Sequence, residues 1–329
     1  MSIITNRYEI LFLYECKDCN PNGDPLDENR PRTDPETGEA TVTDVRIKRT
    51  VRDYFIAQEP DVGKRLTNGT EILIRDTEKT DGYLSQGSDR ANQFLKEATK
   101  GKKKGEKRNA LQDAILSHCI DTRLFGAAVP LGKGEASLQL TGPVQFSAFN
   151  RSLHQVAPVM VQQTAAFAGN AKSNQKSFAE RWLLPYALIA AYGVVNEVAA
   201  QTTQMTEADL HNLLKGLWWG TAALNTHSKM GHDPLLLVLA KYAPGQRLGQ
   251  LSRRVRLVNN ANIVDTALRS TENYLMDVSQ LLDAFKDCDA LKVLTVKQDK
   301  LLQCQSGETQ GDFISLAKQT GLTIEQASL

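Results

Sequence analysis

Two cysteines three residues apart, Cys16 and Cys19, stand where an apolar run gives way to CNPNGDPLDENRPRTDPETG, a segment dense in Pro, Gly, Asp and Asn. Such a pair supplies half of a zinc site, or a dithiol. A structural zinc site wants four ligands, and no second C-x-x-C or closely spaced histidine pair lies nearby. His227 and His232 have a suitable spacing but stand far along the chain. Asp18, Asn20, Asn22 and Gly23 match the opening of a calcium loop, D-x-[DN]-x-[DN]-G. The match then fails, because the twelfth position needs a bidentate Glu and holds Asn29, with Glu28 one place early. An extended stretch also precedes the loop where a helix should enter. Asx side chains that bond their own backbone are the default reading, so neither a metal nor a cofactor is expected.

Other catalytic signatures are missing. GAAVPLGK at 126–133 has five residues between its glycines where a phosphate loop has four, and Gly134 follows the lysine. G-x-S-x-G and H-E-x-x-H do not occur. Asp18, Asp24, Asp27, Asp34 and Asp44 are available as acids, but in a Pro/Gly-rich loop such residues read first as turn formers. The cations are more informative. Arg46, Lys48 and Arg49 fall in the first turns of a helix, where they oppose the macrodipole by about 0.3–1 kcal/mol each. Either an anion is held there, with Arg52 one turn further on, or Asp44 and local acids neutralise the cluster.

The elements that position these groups follow from periodicity. Residues 8–16 alternate, with Tyr8, Ile10, Phe12 and Tyr14 on one face and Leu11 and Leu13 on the other, as in a central strand. Thr43 or Asp44 caps a helix to about residue 57, with Ile47, Val51, Tyr54 and Phe55 on its inner face. Residues 58–130 read as an insertion holding a short strand TEILIR, a helix at ANQFLKEAT, a Lys/Gly run and a helix in NALQDAILSHCI. SLQLTGPVQFSAFN is extended with a break at Gly142-Pro143. Residues 155–180 read as a protrusion, where Met160, Phe167 and Phe178 stand among polar neighbours and want a partner. A strand LLPYALIAAYGVVNEV follows, then a helix opened by Thr206 with Asp209 as a capping box, then a strand PLLLVLAKY. Stripped of insertions this is β-α-β-β-α-β, the ferredoxin-like order shared with RNA-recognition modules. The aromatic rings of the first strand read as core rather than as a stacking surface. A helix at about 270–287 and a strand LKVLTV complete the chain.

With 41% hydrophobic and 23% charged residues the chain is globular, and no apolar run reaches membrane-spanning length. Five cysteines without a staple-like pattern fit a reducing, cytoplasmic setting. The formal net charge of +1 excludes a uniformly basic nucleic-acid protein. Charge is nevertheless uneven: KGKKKGEKR, RIKR and RRVR are basic, whereas residues 270–329 carry five lysines against nine acids. A polyanion, if one is bound, must be handled locally.

NPNGDP at 20–25, NRPRTD, TG at 37–38 and TDVRIKRTVRDY at 43–54 resemble the amino-terminal signature of the Cas-seven family, the backbone subunits of CRISPR Cascade, in the subtype I-B and I-C branch. IDTRLFGA, TGPVQFS with the SLH of 152–154, and LLPYALIAAYG extend the resemblance over most of residues 5–245. The resemblance implies an α+β protein without catalytic activity. A ferredoxin-like, RNA-recognition-like palm (1–57, 111–154 and 181–245) would carry inserted helical fingers (58–110) and a thumb hairpin (155–180). Residues 246–329 would pack on the palm. Implied partners are crRNA, target DNA through the guide, copies of the chain stacked head to tail, and other Cascade subunits. Mapped by position, Asn20, Asn22, Gly23, Arg46, Lys48, Arg49 and Arg52 would grip guide phosphates. Ser152, His154, Met160, Phe167, Lys172, Lys176 and Lys229 would add contacts. Related backbone subunits that cut RNA with a loop Asp give the alternative, a metal-dependent ribonuclease using Asp24 or Asp44.

Overall fold

The computed structural model describes residues 2–77, 89–90, 93–94, 104–129, 137–168, 176–259 and 263–329. In chain order the strands are β1 (Arg7–Cys19), β2 (Gly23–Asp24), β3 (Arg30–Pro31), β4 (Glu39–Thr43), β5 (Gly126–Val129), β6 (Leu138–Thr141), β7 (Val144–Phe146), β8 (Phe149–Gln155) and β9 (Val159–Ala168). They continue as β10 (Lys176–Val195), β11 (His232–Tyr242), β12 (Arg256–Asn259), β13 (Tyr274–Asp277), β14 (Leu291–Gln298), β15 (Cys304–Ser306), β16 (Thr309–Gly311) and β17 (Ile324–Gln326). The helices are α1 (Asp44–Gln58), α2 (Val62–Asn68), α3 (Lys104–His118), α4 (Ile120–Phe125), α5 (Glu197–Thr203), α6 (Glu207–Ala222), α7 (Ser279–Lys286) and α8 (Phe313–Gln319).

The main sheet runs β17-β14-β11-β1-β10-β8-β4, with β7 and β9 also paired to β10. β1 lies at its centre, antiparallel to β10 and to β11. Its alternation sorts two cores. Tyr8, Ile10, Phe12 and Tyr14 face α1 and α6, joined by Ile47, Val51, Phe55, Leu213 and Leu217. Leu11 and Leu13 face the other way, into a cluster built with Leu251, Tyr274, Leu281, Phe285 and Phe313 from the last quarter of the chain. Each such side chain, fully buried, contributes about 1.5–3 kcal/mol. Both faces of the sheet are therefore covered by protein, and the first-strand aromatics are core residues at 1–5% exposure.

Helix ends obey their sequence signals. Thr43 Oγ1 accepts from the Arg46 amide, and Thr206 and Asp209 form the reciprocal capping box. Three expectations need correction. TEILIR is not a strand: Asp121 Oδ1 and Oδ2 accept from the Leu73 and Ile74 amides, at 2.8 and 3.1 Å, so a carboxylate takes the place of a neighbouring strand. Residues 270–278 are not helical; β13 and a single 3-10 turn occupy them, and only α7 remains of that helix. β10 stops at Val195, because the Asn196 side chain accepts from the Val198 and Ala199 amides and starts α5.

Leu73, Phe94, Leu111, Ile115, Cys119, Val129 and Leu138 make a third, separate core. α3 spans residue 110 and contributes Leu111, Ile115 and Leu116 to this cluster. The Lys/Gly run at 100–108 and the ANQFLKEAT helix lie largely outside the described residues. β9 pairs with the first part of β10 as a projecting hairpin, in the register Val159↔Leu183 to Ala168↔Lys176. Among the described residues, no helix is long and apolar enough to cross a membrane. All five cysteines are free thiols.

Candidate nucleic-acid interface

The loop that leaves β1 folds back on itself. β2 and β3 pair through Gly23↔Pro31, and a Cβ at Gly23 would stand 2.0 Å from Asn29 Oδ1, so glycine is required there. Asn22 joins this loop to α1, because its Oδ1 accepts from the Thr43 amide at 2.9 Å and from Thr43 Oγ1 at 3.0 Å. Asn20 is buried, and its Nδ2 donates to the Asn29 carbonyl at 2.7 Å. Lys229 closes the loop from the turn after α6, with Nζ donating to the carbonyls of Asn20 and Pro21 at 2.5 and 3.0 Å. Burial, followed by the nearby Arg46 charge, lowers the Lys229 ammonium to about 8. Asn22 Oδ1, Asn20 Nδ2 and Lys229 Nζ thus hold the loop against the helix start. Replacing Asn22 with alanine leaves the helix-capping Thr43 amide without this acceptor. We expect a loss of about 1–2 kcal/mol, read as an earlier urea midpoint.

The α1 cations do not converge as their spacing suggested. Lys48 Nζ donates to Asp44 at 3.0 Å and to Gln145 at 3.2 Å. Arg49 is exposed and pairs with Asp53 at 2.7 Å. Arg52 is buried and donates to Asp121 Oδ2 at 2.9 Å, beneath the Phe125 ring. Each of these three is thus paired with an acid, Asp44 and Asp53 on the same helix and Asp121 from α4. Arg46 differs. It turns toward the loop and lines a small cavity with Tyr14, Pro21 and His232, and one of its terminal nitrogens donates to Thr50 Oγ1 at 2.9 Å. Burial lowers its pKa.

Ser152 and His154 are internal. Ser152 Oγ accepts from the Ala40 amide at 2.9 Å. His154 Nε2 accepts from the Leu188 amide at 3.2 Å, which leaves Nδ1–H to donate to the Gln155 carbonyl at 2.8 Å. Burial holds this imidazole below its ordinary value. On the hairpin, Met160 is 46% exposed and pairs across to Trp182. Phe167 and Lys176 lie on β9 and β10 with side chains outside the described set, as is that of Phe178; Lys172 lies outside the described residues altogether.

The sequence reading missed the arginines that gather at this junction. The Arg30 guanidinium lies 3.8 Å from the centre of the Trp182 ring. Arg32 forks onto Asp24, at 2.9 and 3.2 Å. Arg181 donates to His227 Nε2 at 2.6 Å. Asn20 Oδ1 and the Nε atoms of Arg30, Arg32 and Arg181 are buried without a hydrogen-bond partner, an uncommon state for polar atoms. Their one visible signal was N-R-P-R inside a loop otherwise built of turn formers. A second groove, of about 680 Å³, is lined by Arg151, Arg247, Arg253 and Arg256 beside Phe149, which is 55% exposed. The alternation of FNRSLHQ, Phe149 and Arg151 out and Asn150 and Ser152 in, could have revealed its wall.

The chain is 28% identical over 326 residues to the CRISPR-associated protein Cas7 of Haloferax volcanii, covering 92% of this chain and 90% of that protein. Its fold resembles a chain of a CRISPR RNA-guided surveillance complex in a pre-nicking state, with a TM-score of 0.53 and 14% identity over 95% of this chain and 98% of the other. The family model described as CRISPR-associated protein Cas7 matches residues 6–279. The protein therefore belongs to the Cas7 family.

Proposed function

We infer that this chain is a structural backbone subunit of a CRISPR RNA-guided effector, one that coats the crRNA and presents its bases for pairing with target DNA. Family membership supports the role. The observation that carries the site is the gathering of the Arg30, Arg32 and Arg181 guanidinium groups. They stand where the loop after β1, the base of the β9–β10 hairpin and the start of α1 meet. Guanidinium groups suit phosphate oxygens, and the exposed Met160 opposite Trp182 offers an apolar surface to a base. We accordingly move the main phosphate contacts from Lys48, Arg49 and Arg52 to Arg30, Arg46 and Arg181.

In this reading the central sheet with α1 and α6 is a ferredoxin-like palm. The strand order β11-β1-β10-β8 with two helices on one face supports the name. The third core makes the fingers, which we extend to residue 141, and β9 with the start of β10 makes the thumb. Copies stacked head to tail along the guide, together with other effector subunits, complete the assembly. Binding to single-stranded RNA should weaken steeply with salt, the logarithm of affinity falling by about 0.7 per neutralised phosphate for each decade of salt. An affinity indifferent to salt overturns the reading.

The loop acids are engaged elsewhere, Asp24 in its fork with Arg32 and Asp44 with Lys48 at 3.0 Å, which supports a scaffold over a nuclease. Incubation with guide, complementary RNA and Mg²⁺ separates the two. Intact RNA is expected; evenly spaced cuts would favour the nuclease.

A further inference from the structure

The sequence placed no histidine near Cys16 and Cys19, but the fold does. His232 opens β11 directly across the ladder from Cys16. Residues three apart on a regular strand point to opposite faces. Here Asp18, in the left-handed region at φ 52°, interrupts the regular pleat while the ladder stays in register, from Lys17↔Tyr186 to Cys19↔Leu184. With the pleat broken there, Cys19 Sγ comes within reach of the Cys16 sulfur. The other strand is fixed as firmly. Gly231 has φ +105° and packs against the Lys17 carbonyl, where a Cβ would stand 2.1 Å from the oxygen, and its own carbonyl accepts from the Lys17 amide at 2.8 Å.

The result is two sulfurs and an imidazole nitrogen all within 4.8 Å of one another, with the three residues at 0%, 2% and 4% exposure. Cys19 Sγ lies 3.4 Å from His232 Nδ1. In a tetrahedral zinc site with Zn–S near 2.3 Å and Zn–N near 2.0–2.1 Å, the corresponding sulfur–nitrogen separation is about 3.6 Å. Two thiolates and one imidazole are a known zinc donor set, leaving a fourth position for a small ligand.

We propose that Cys16, Cys19 and His232 bind one divalent thiophilic ion of the zinc type, tying β1 to β11 at the root of the loop that carries Asn20. Binding releases the thiol protons to solvent, and two thiolates match the charge of the ion. Ligation through Nδ1 replaces the contact between that nitrogen and the Lys229 carbonyl, now 2.5 Å.

The test uses the full, tag-free chain, stripped with a chelator and titrated with Co²⁺. We expect one cobalt per chain, with the near-ultraviolet thiolate-to-cobalt band and the visible bands of a tetrahedral site. Zinc should displace it. C16S and C19S should lose the thiolate band, H232A should lose affinity, and C304S, at a buried thiol elsewhere, should keep both. If the variants fail to fold, alkylation of wild-type Cys19 followed by peptide mass spectrometry decides, slow with zinc and fast after chelation. A folded wild-type chain that takes up no cobalt overturns the proposal. So does a Cys16–Cys19 disulfide in the chain as isolated, or a spectrum unchanged in C16S and C19S. None of these readings depends on RNA.

Discussion

Asp121→Ala should destabilise the protein by about 3–5 kcal/mol, the range for breaking a buried ion pair from one side. Asp121 is fully buried and serves three donors at once: Arg52 Nε at 2.9 Å and the amides of Leu73 and Ile74 at 2.8 and 3.1 Å. It joins α1 to the segment that replaces the expected strand. Alanine leaves the Arg52 guanidinium charged and enclosed beside Phe125, and both amides without an acceptor. Asp121→Asn keeps one carbonyl oxygen and should lose less. Urea unfolding followed by far-ultraviolet circular dichroism reads both variants. A shift below about 1 kcal/mol for the alanine variant would mean that solvent reaches this cluster.

The second large effect concerns RNA. Exchanging Arg30, Arg46 and Arg181 together for alanine should reduce affinity for unstructured RNA roughly a hundredfold or more, at about 1–1.5 kcal/mol per charged contact. The loss should be the same for every sequence, and the salt slope should become shallower by about 2. Changing Lys48 and Arg49 to alanine should have a far smaller effect, since their partners Asp44 and Asp53 lie within the same helix. Fluorescence anisotropy with a labelled oligonucleotide, on variants shown by thermal melting to be folded, makes the comparison. Equal losses in the two variants would return the contact surface to the outer face of α1.

These positions also show where sequence reading reached and where it stopped. β1 was legible because both of its faces are buried against different partners, so its alternation is strict. The caps of α1 and α6 were legible because they use side chains within three residues of the helix start. TEILIR misled because β-propensity is blind to a carboxylate 48 positions away that takes its amides. The α1 cations misled for a related reason. Spacing shows that Arg46, Lys48 and Arg49 fan around a helix, but not which of them meets an aspartate. His232 was out of reach, 213 residues from Cys19 and brought there only by the register of two strands.

β10 has one more consequence. Twenty residues long, it spans roughly 65 Å as one continuous beam. Its outer part is braced by β9 up to Leu183, and its inner part by β1 from Leu184 onward. Pro185, which lacks an amide donor, sits at the changeover. A sideways load on the hairpin tip therefore acts as torque about this point. The first rung to feel it is Cys19↔Leu184, at the root of the loop that carries Asn20 and Asn22.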